Sequence, residues 1–139
     1  MNRPLVSILI PCCNAASWIA ETIESVLAQT WPANEIIVVN DGSTDRSAEI
    51  ARSFANHGVV VVDQSNRGQC AACNRALSLA RGDLVKFVDA DDLLSPDMIE
   101  RQIRGLIDRP DCIAYGEWAR FHDDPAAAEF VSRPGAGDA

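Results

Sequence analysis

Four short apolar runs constrain this chain more than any other feature. Leu5–Ile10, Ile36–Val39, Val59–Val62 and Leu84–Val88 span four to six residues, and each ends in proline or polar residues. Runs of that length bounded by turn signals read as strands. Leu5–Ile10 and Ile36–Val39 lack polar alternation, which reads as burial on both faces, as a parallel sheet requires. Between the runs the period changes: Trp18, Ile19, Ile23, Val26 and Leu27 recur at three- and four-residue spacing across residues 17–29, the stripe of a helix lying on a sheet. Strand and helix alternate four times, so the expected fold class is α/β: an open, mostly parallel sheet with helices on both faces and right-handed crossovers.

Local signals place the other elements. Asn40-Asp41-Gly42-Ser43-Thr44-Asp45 is a turn that also offers N-cap side chains to a helix running to about Asn56. A third helix is expected over Gln69–Ala80 with Gly82 as its C-cap. Ser95-Pro96-Asp97 opens a fourth, carrying Met98, Ile99, Ile103, Leu106 and Ile107 and ending at Arg109-Pro110. A fifth strand is expected from Cys112 to about Phe121, and from His122 onward a disordered, small-residue tail.

Ligands of such sheets bind at the carboxyl ends of the strands. Here those ends read Pro11-Cys12-Cys13-Asn14, Asn40-Asp41-Gly42-Ser43, Asp63 to Gly68, and Asp89-Ala90-Asp91-Asp92. Acids gathered at one rim repel unless a cation or hydrogen-bond donors meet them. A solvated rim accounts for Asp41 or Asp63 alone but poorly for the acids after Phe87-Val88. Hard carboxylate oxygens suit Mg2+ or Mn2+, which stabilises a departing diphosphate. Counting from Asp89, Asp91, Asp97 and Glu100 fall at EF-hand positions, yet Leu93 and Leu94 stand where that loop needs an oxygen ligand and glycine. No GxxxxGK[ST] loop exists and no GxGxxG follows the first strand, and the first strand tip lacks a receiver's acids.

Twelve basic against 20 acidic side chains give a net charge of -8, and Lys86 is the one lysine. That balance excludes a nucleic-acid partner, which needs massed Lys and Arg. No apolar run approaches the roughly 18 residues of a membrane span, and the start of the chain does not read as an export signal. A cytoplasmic location is expected, with peripheral attachment at the inner face of the membrane as a variant. Five cysteines, an odd number, suggest reduced thiols. The CxxC of Cys70 and Cys73 follows the third strand rather than the first, which disfavours a thioredoxin-like role, and zinc held with Cys12 and Cys13 is disfavoured as well.

In order and spacing, Ser7-Ile8-Leu9-Ile10-Pro11-Cys12-Cys13-Asn14, Glu24-Ser25-Val26-Leu27-Ala28-Gln29-Thr30, Val39-Asn40-Asp41-Gly42-Ser43-Thr44-Asp45, Asn66-Arg67-Gly68 with Ala72-Cys73-Asn74, and Phe87-Val88-Asp89-Ala90-Asp91-Asp92 with Pro96 resemble the family 2 glycosyltransferases. The resemblance covers the chain to about Phe121. It implies a Rossmann-like GT-A fold whose N-terminal part, residues 1–121, binds a nucleotide-sugar donor, usually a UDP-sugar, through Mn2+ or Mg2+. Residues 122–139 are then a tail or the start of an acceptor half. By the family's pattern Asp41 accepts a hydrogen bond from the base, Asp89 and Ala90 meet the ribose end, and Asp91 meets the metal. Pro11, Cys13 and Asn14 line the base pocket, and Asn66, Arg67 and Gly68 form a loop closing over the donor, with Arg67 near phosphate. The implied reaction is an inverting displacement at the anomeric carbon by an acceptor hydroxyl.

Cys13 stands where the family commonly has an aromatic residue, and Cys73 where it often has arginine. The family's general base lies in an acceptor half, and in the closing part of this chain the candidates are Glu117, Asp123, Asp124, Glu129 and Asp138, none in a recognisable motif. The catalytic base is therefore expected outside this chain. A non-catalytic nucleotide-sugar-binding module or inactive fragment is the alternative, and a sheet edge left open is expected to favour self-association. His57 reads as a helix-end residue, and Trp18, Trp31 and Trp118 as packing residues. Lys86 reads as an edge or snorkelling lysine.

Overall fold

The computed structural model describes residues 3–116 and 118–130. Glu117 and the tail beyond Phe130 lie outside the described residues. The chain divides into two compact units, Met1–Glu100 and Arg101–Ala139.

The first unit is the expected α/β layer structure. Strands β1 (Val6–Cys12), β2 (Asn34–Asp41), β3 (Val59–Gln64) and β4 (Leu84–Phe87) alternate with helices α1 (Ile19–Leu27), α2 (Ser47–Arg52) and α3 (Gln69–Leu79). All pairings in this sheet are parallel and the order is β3-β2-β1-β4. The chain therefore steps outward from β1 to β3 and then returns to the other side of β1, which makes the carboxyl ends of β1 and β4 the place where a ligand crevice opens.

Burial follows from that order. Every residue of the central β1 is buried. Leu9, Ile37 and Val39 form one face, packed against Ala72 and Ala76 of α3, whose small side chains let the helix sit close to the sheet. Ile8, Ile10 and Val38 point to the other face and are fully buried too, while α1 buries Ile19, Thr22, Ile23 and Val26. The edge strands are less covered: Val60 of β3 is 53% exposed and Phe87 of β4 is 48% exposed. Lys86 lies on the edge strand β4, as its position suggested. Its pKa is lowered by burial, against an opposing pull from Asp92.

Several expectations change. The second helix stops at Arg52, and a separate 3₁₀ turn, Ala55–His57, ends at Gly58 in the left-handed region. Gly82 is no helix cap: α3 ends at Leu79 with Ala80 extended. Helix α4 (Met98–Leu106) forms, but its N-terminus is held by Gln29, two residues past the end of α1, whose Oε1 accepts from the Ile99 N–H at 3.1 Å. The fifth strand shrinks to β5 (Ala119–Arg120), paired antiparallel with β6 (Glu129–Phe130). Ile113, within the run expected to be strand, is 91% exposed; β-propensity without a neighbouring ladder does not make a strand. The supposed tail contributes β6 and a 3₁₀ turn, Pro125–Ala127, capped by the Asp124 carboxylate, which accepts from Ala126 N–H at 2.9 Å.

Candidate functional site

A cleft of about 330 Å³ opens at the carboxyl ends of the strands, within the size range of small-molecule sites. It brings together Pro11 near the end of β1, Cys13 and Asn14 after it, Asp41 at the end of β2, and Asp89, Ala90 and Asp91 after β4. Asn66, Arg67 and Gly68 are not among its lining residues. Their loop closes on Asp41 and Gly42 instead.

Asp41 is 2% exposed, a cost that its hydrogen bonds offset. Its Oδ1 accepts from Gln64 Nε2 at 2.8 Å and from the Arg67 N–H at 2.8 Å, and its Oδ2 accepts from the Gly68 N–H at 2.9 Å. Burial pushes its pKa up, yet the donors from Gln64, Arg67 and Gly68 outweigh it and hold the carboxyl below its ordinary value. One lone-pair site on Oδ2 is left for a further donor. Gly42, at φ +66°, completes this wall: a Cβ there would stand 2.6 Å from the Asn66 nitrogen, so only glycine lets the loop approach.

Asn14 is a structural staple as much as a wall residue. It sits at φ 48°, a region Asn tolerates. Its Oδ1 accepts from the Thr44 and Asp45 N–H groups at 2.8 and 3.3 Å, while its own N–H donates to Ser43 Oγ at 3.0 Å. Asp45 holds the next turn through Ser47 and Ala16, and these bonds lower its pKa. Cys13 is exposed and receives a long hydrogen bond from Asn66 Nδ2 at 3.5 Å.

The fourth strand tip sorts its three acids. Asp89 Oδ1 accepts from Gln69 Nε2 at 2.8 Å. The Ala90 carbonyl accepts from Thr22 Oγ1 at 2.9 Å, which docks this turn on α1. Asp91 is exposed in the cleft wall and, among the described residues, takes no hydrogen bond. Asp92 lies off the cleft, its pKa raised by burial and then by Asp89 and Asp91, with Lys86 opposing. Among the described residues no group of three or more His, Cys, Asp or Glu is placed to hold an ion. Mg2+ and Mn2+ use one or two carboxylates together with substrate phosphates, and one unpartnered carboxylate at the rim fits that donor set.

Trp18 and Gln69 line the cleft without having been expected there. Trp18 was taken as packing, but it is 53% exposed and lines the cleft. The signal was present: the buried stripe of α1 is Ile19, Ile23 and Val26, and Trp18 stands one residue off it. Gln69 had no motif beyond following Gly68 at the start of α3. The cysteines behave as structural thiols where shifts arise: burial, above other causes, raises the pKa of Cys12 and of Cys73, opposite to the depression that redox chemistry needs.

A profile of Glycosyl transferase family 2 matches residues 7–134. The putative glycosyltransferase EpsH of Bacillus subtilis is 37% identical over 125 residues, covering 88% of this chain and 36% of EpsH. The putative teichuronic acid biosynthesis glycosyltransferase TuaG of the same organism is 34% identical over 136 residues, covering 95% of this chain and 54% of TuaG. Among solved structures, Staphylococcus aureus TarS in complex with UDP matches with a TM-score of 0.70 at 28% identity, over 75% of this chain and 32% of that one. The mannosyltransferase PcManGT from Pyrobaculum calidifontis, in complex with GDP-Man and Mn2+, matches with a TM-score of 0.74 at 30% identity, over 78% of this chain and 34% of that one. This chain thus spans about a third to a half of the length of these relatives. With the parallel sheet, its crossover at β1 and β4, and the family profile over nearly the whole length, the chain belongs to glycosyltransferase family 2 and has the GT-A fold.

Proposed function

We propose that this chain is the donor-binding part of an inverting glycosyltransferase that takes a nucleoside-diphosphate sugar, in first place a UDP-sugar, with Mn2+ or Mg2+. The observation that carries this reading is the convergence of Asp41, Asp89 and Asp91 in one cleft, each in a different state: buried and held by three donors, held by one amide, and unpartnered. Asp41, with one acceptor site left, takes an N–H of the base. Asp89 takes a ribose hydroxyl, and Asp91 holds the divalent ion. Bound there, the ion neutralises charge on the leaving diphosphate. The complexes of TarS with UDP and of PcManGT with GDP-Man and Mn2+ support this class of ligand.

In this reading Trp18 supplies the aromatic wall that Cys13 does not, since an exposed indole in a polar cleft offers a flat apolar surface. The acceptor's proton needs a base within hydrogen-bond reach, and in the cleft Asp41, Asp89 and Asp91 already have other tasks. Transfer therefore draws its base from outside these three carboxylates, and the acceptor is a hydroxyl of a saccharide, lipid-linked or protein substrate. We place the enzyme in the cytoplasm or at the inner face of the membrane; no helix among the described residues is long and apolar enough to cross one. Self-association, where it occurs, is assigned to the open edge of β4.

Calorimetric titration of UDP and of GDP, each with and without Mn2+, tests the reading. One nucleotide is expected to bind, with Mn2+ tightening it about 10- to 100-fold, and Asp91→Ala is expected to remove the metal increment while leaving the metal-free affinity unchanged. No binding of either nucleotide to the folded chain overturns the proposal. Tryptophan fluorescence supplies an independent check. Nucleotide binding is expected to quench the wild-type signal, and Trp18→Phe to abolish the change although Trp31 and Trp118 remain; a quench that survives Trp18→Phe removes Trp18 from the site.

A further inference from the structure

Asp89 stands just past the end of β4 on an exposed turn. A carboxylate there samples a broad torsional range, so a ligand must order it on binding, at an entropic cost. In this structure that ordering is already supplied. Gln69 Nε2 donates to Asp89 Oδ1 at 2.8 Å, which leaves Oδ2 as the oxygen free to meet a ligand hydroxyl.

Gln69 is itself held in place by its neighbours in the chain. The Arg67 and Gly68 N–H groups donate to the Asp41 carboxylate. Gly68, at φ 92°, then turns the chain directly into α3, whose first residue is Gln69. A stretch of three residues thus carries the backbone donors that fix Asp41 and the side-chain donor that fixes Asp89. Asp41 ends β2 and Asp89 follows β4, and β2 and β4 flank β1 on opposite sides. The two carboxylates are set relative to each other by this bridge across the mouth of the cleft.

We propose that Gln69 is a positioning residue that orients Asp89 and thereby sets the preference of this site for a ribose with its full complement of hydroxyls. The inference rests on the donor-binding reading of the cleft and adds to it a residue outside every motif that suggested that reading. An amide is suited to the task because it donates to Asp89 without adding charge beside Asp41, Asp91 and the diphosphate. Glutamate, of the same shape, has no such donor at neutral pH and repels Asp89.

The test compares UDP and GDP with their 2′-deoxy and 3′-deoxy analogues, titrated into the full chain carrying wild-type Gln69, Gln69→Ala or Gln69→Glu. The wild type is expected to bind one of the deoxy analogues about tenfold more weakly than the parent nucleotide, as loss of one hydrogen bond to a charged group predicts. Both variants are expected to bring that ratio close to one at melting temperatures equal to the wild type's, and Gln69→Glu, which adds a negative charge beside the diphosphate, is expected in addition to weaken all the nucleotides. A loosened cleft weakens all the nucleotides alike and leaves the ratio in place, and that result overturns the proposal. Equal binding of parent and deoxy nucleotides by the wild type overturns it too, with the donor reading intact. Failure of both UDP and GDP to bind the wild type overturns the two readings together.

Discussion

Asp41→Ala is expected to abolish measurable nucleotide binding, a loss of more than about 100-fold, and to destabilise the first unit by about 3 kcal/mol, as loss of several hydrogen bonds to one buried charged group predicts. The cause is the same for both effects. One carboxylate satisfies the Gln64 amide and the Arg67 and Gly68 backbone donors, and alanine leaves all three without a partner. The 65–68 loop then loses its anchor, so trypsin is expected to cleave after Arg67 faster in the variant than in the wild type. Urea unfolding, nucleotide titration and the rate of that cleavage report the three consequences separately. Unchanged cleavage after Arg67 refutes the latch even if binding falls.

The same carboxylate gives a pH dependence whose sign is fixed. The pKa of Asp41 is lowered in the folded protein, so its contribution is fully present above the unfolded-state value of about 3.9 and is lost as pH falls through the lower folded value. Glu35 acts in the same direction: burial raises its pKa, but the bonds from Ser7 and Arg81 outweigh it. Stability is therefore expected to be flat above about pH 5 and to fall steeply below about pH 4. Asp41→Ala should flatten part of that acid limb, read from urea midpoints at the two ends of the range.

Gly82→Ala carries the second large effect, at the opposite end of the strands. A Cβ at Gly82 would lie 2.6 Å from the Ser7 nitrogen and 2.8 Å from the Leu5 carbonyl oxygen. Both are backbone atoms of the central strand or its lead-in, which cannot swing aside as a side chain can. The surrounding bonds tighten the constraint. Gly82 N–H donates to Ser7 Oγ, Ser7 Oγ donates to Glu35, and Leu5 pairs with Asp83 and Leu84 on either side. Alanine must push β4 away from β1 at the Val6 and Leu84 register. The expected cost is about 3 kcal/mol, the upper end of overpacking effects, or roughly 10 °C in melting temperature. Nucleotide affinity well below the melt is expected to hold, because the cleft lies at the other end of the sheet. A variant melting with the wild type would show that the segment shifts at no cost.

Much of this molecule is written locally. The continuous apolar runs and the three- and four-residue periods place β1 to β4 and α1 to α4 within a few residues, because burial patterns act between near neighbours in the chain. The acids at the tips of β2 and β4 were legible for the same reason: a strand end is visible in the sequence, and Asp41, Asp89 and Asp91 stand there. The motifs around them named the family that the profile and the relatives then showed.

What the chain does with those residues was decided elsewhere. Nothing adjacent to Asp41 says that Gln64, Arg67 and Gly68 will donate to it, nor does anything near Asp89 announce Gln69. Gly82 looked like a helix cap, since glycine after a helix usually is one, but its conformation answers to Ser7 and Leu5 across the sheet. Residues 112–116 had the composition of a strand and found no ladder. Trp18 looked like a core aromatic and stands in the cleft instead. For Asp41, Asp89 and Gly82 the deciding partner lies 20 or more residues away in sequence, and only the order β3-β2-β1-β4 brings it within reach. Local periodicity determined which elements form and where their acids fall. Strand order, a property of long-range packing, determined which carboxylates are tied down and which one is left to meet a ligand.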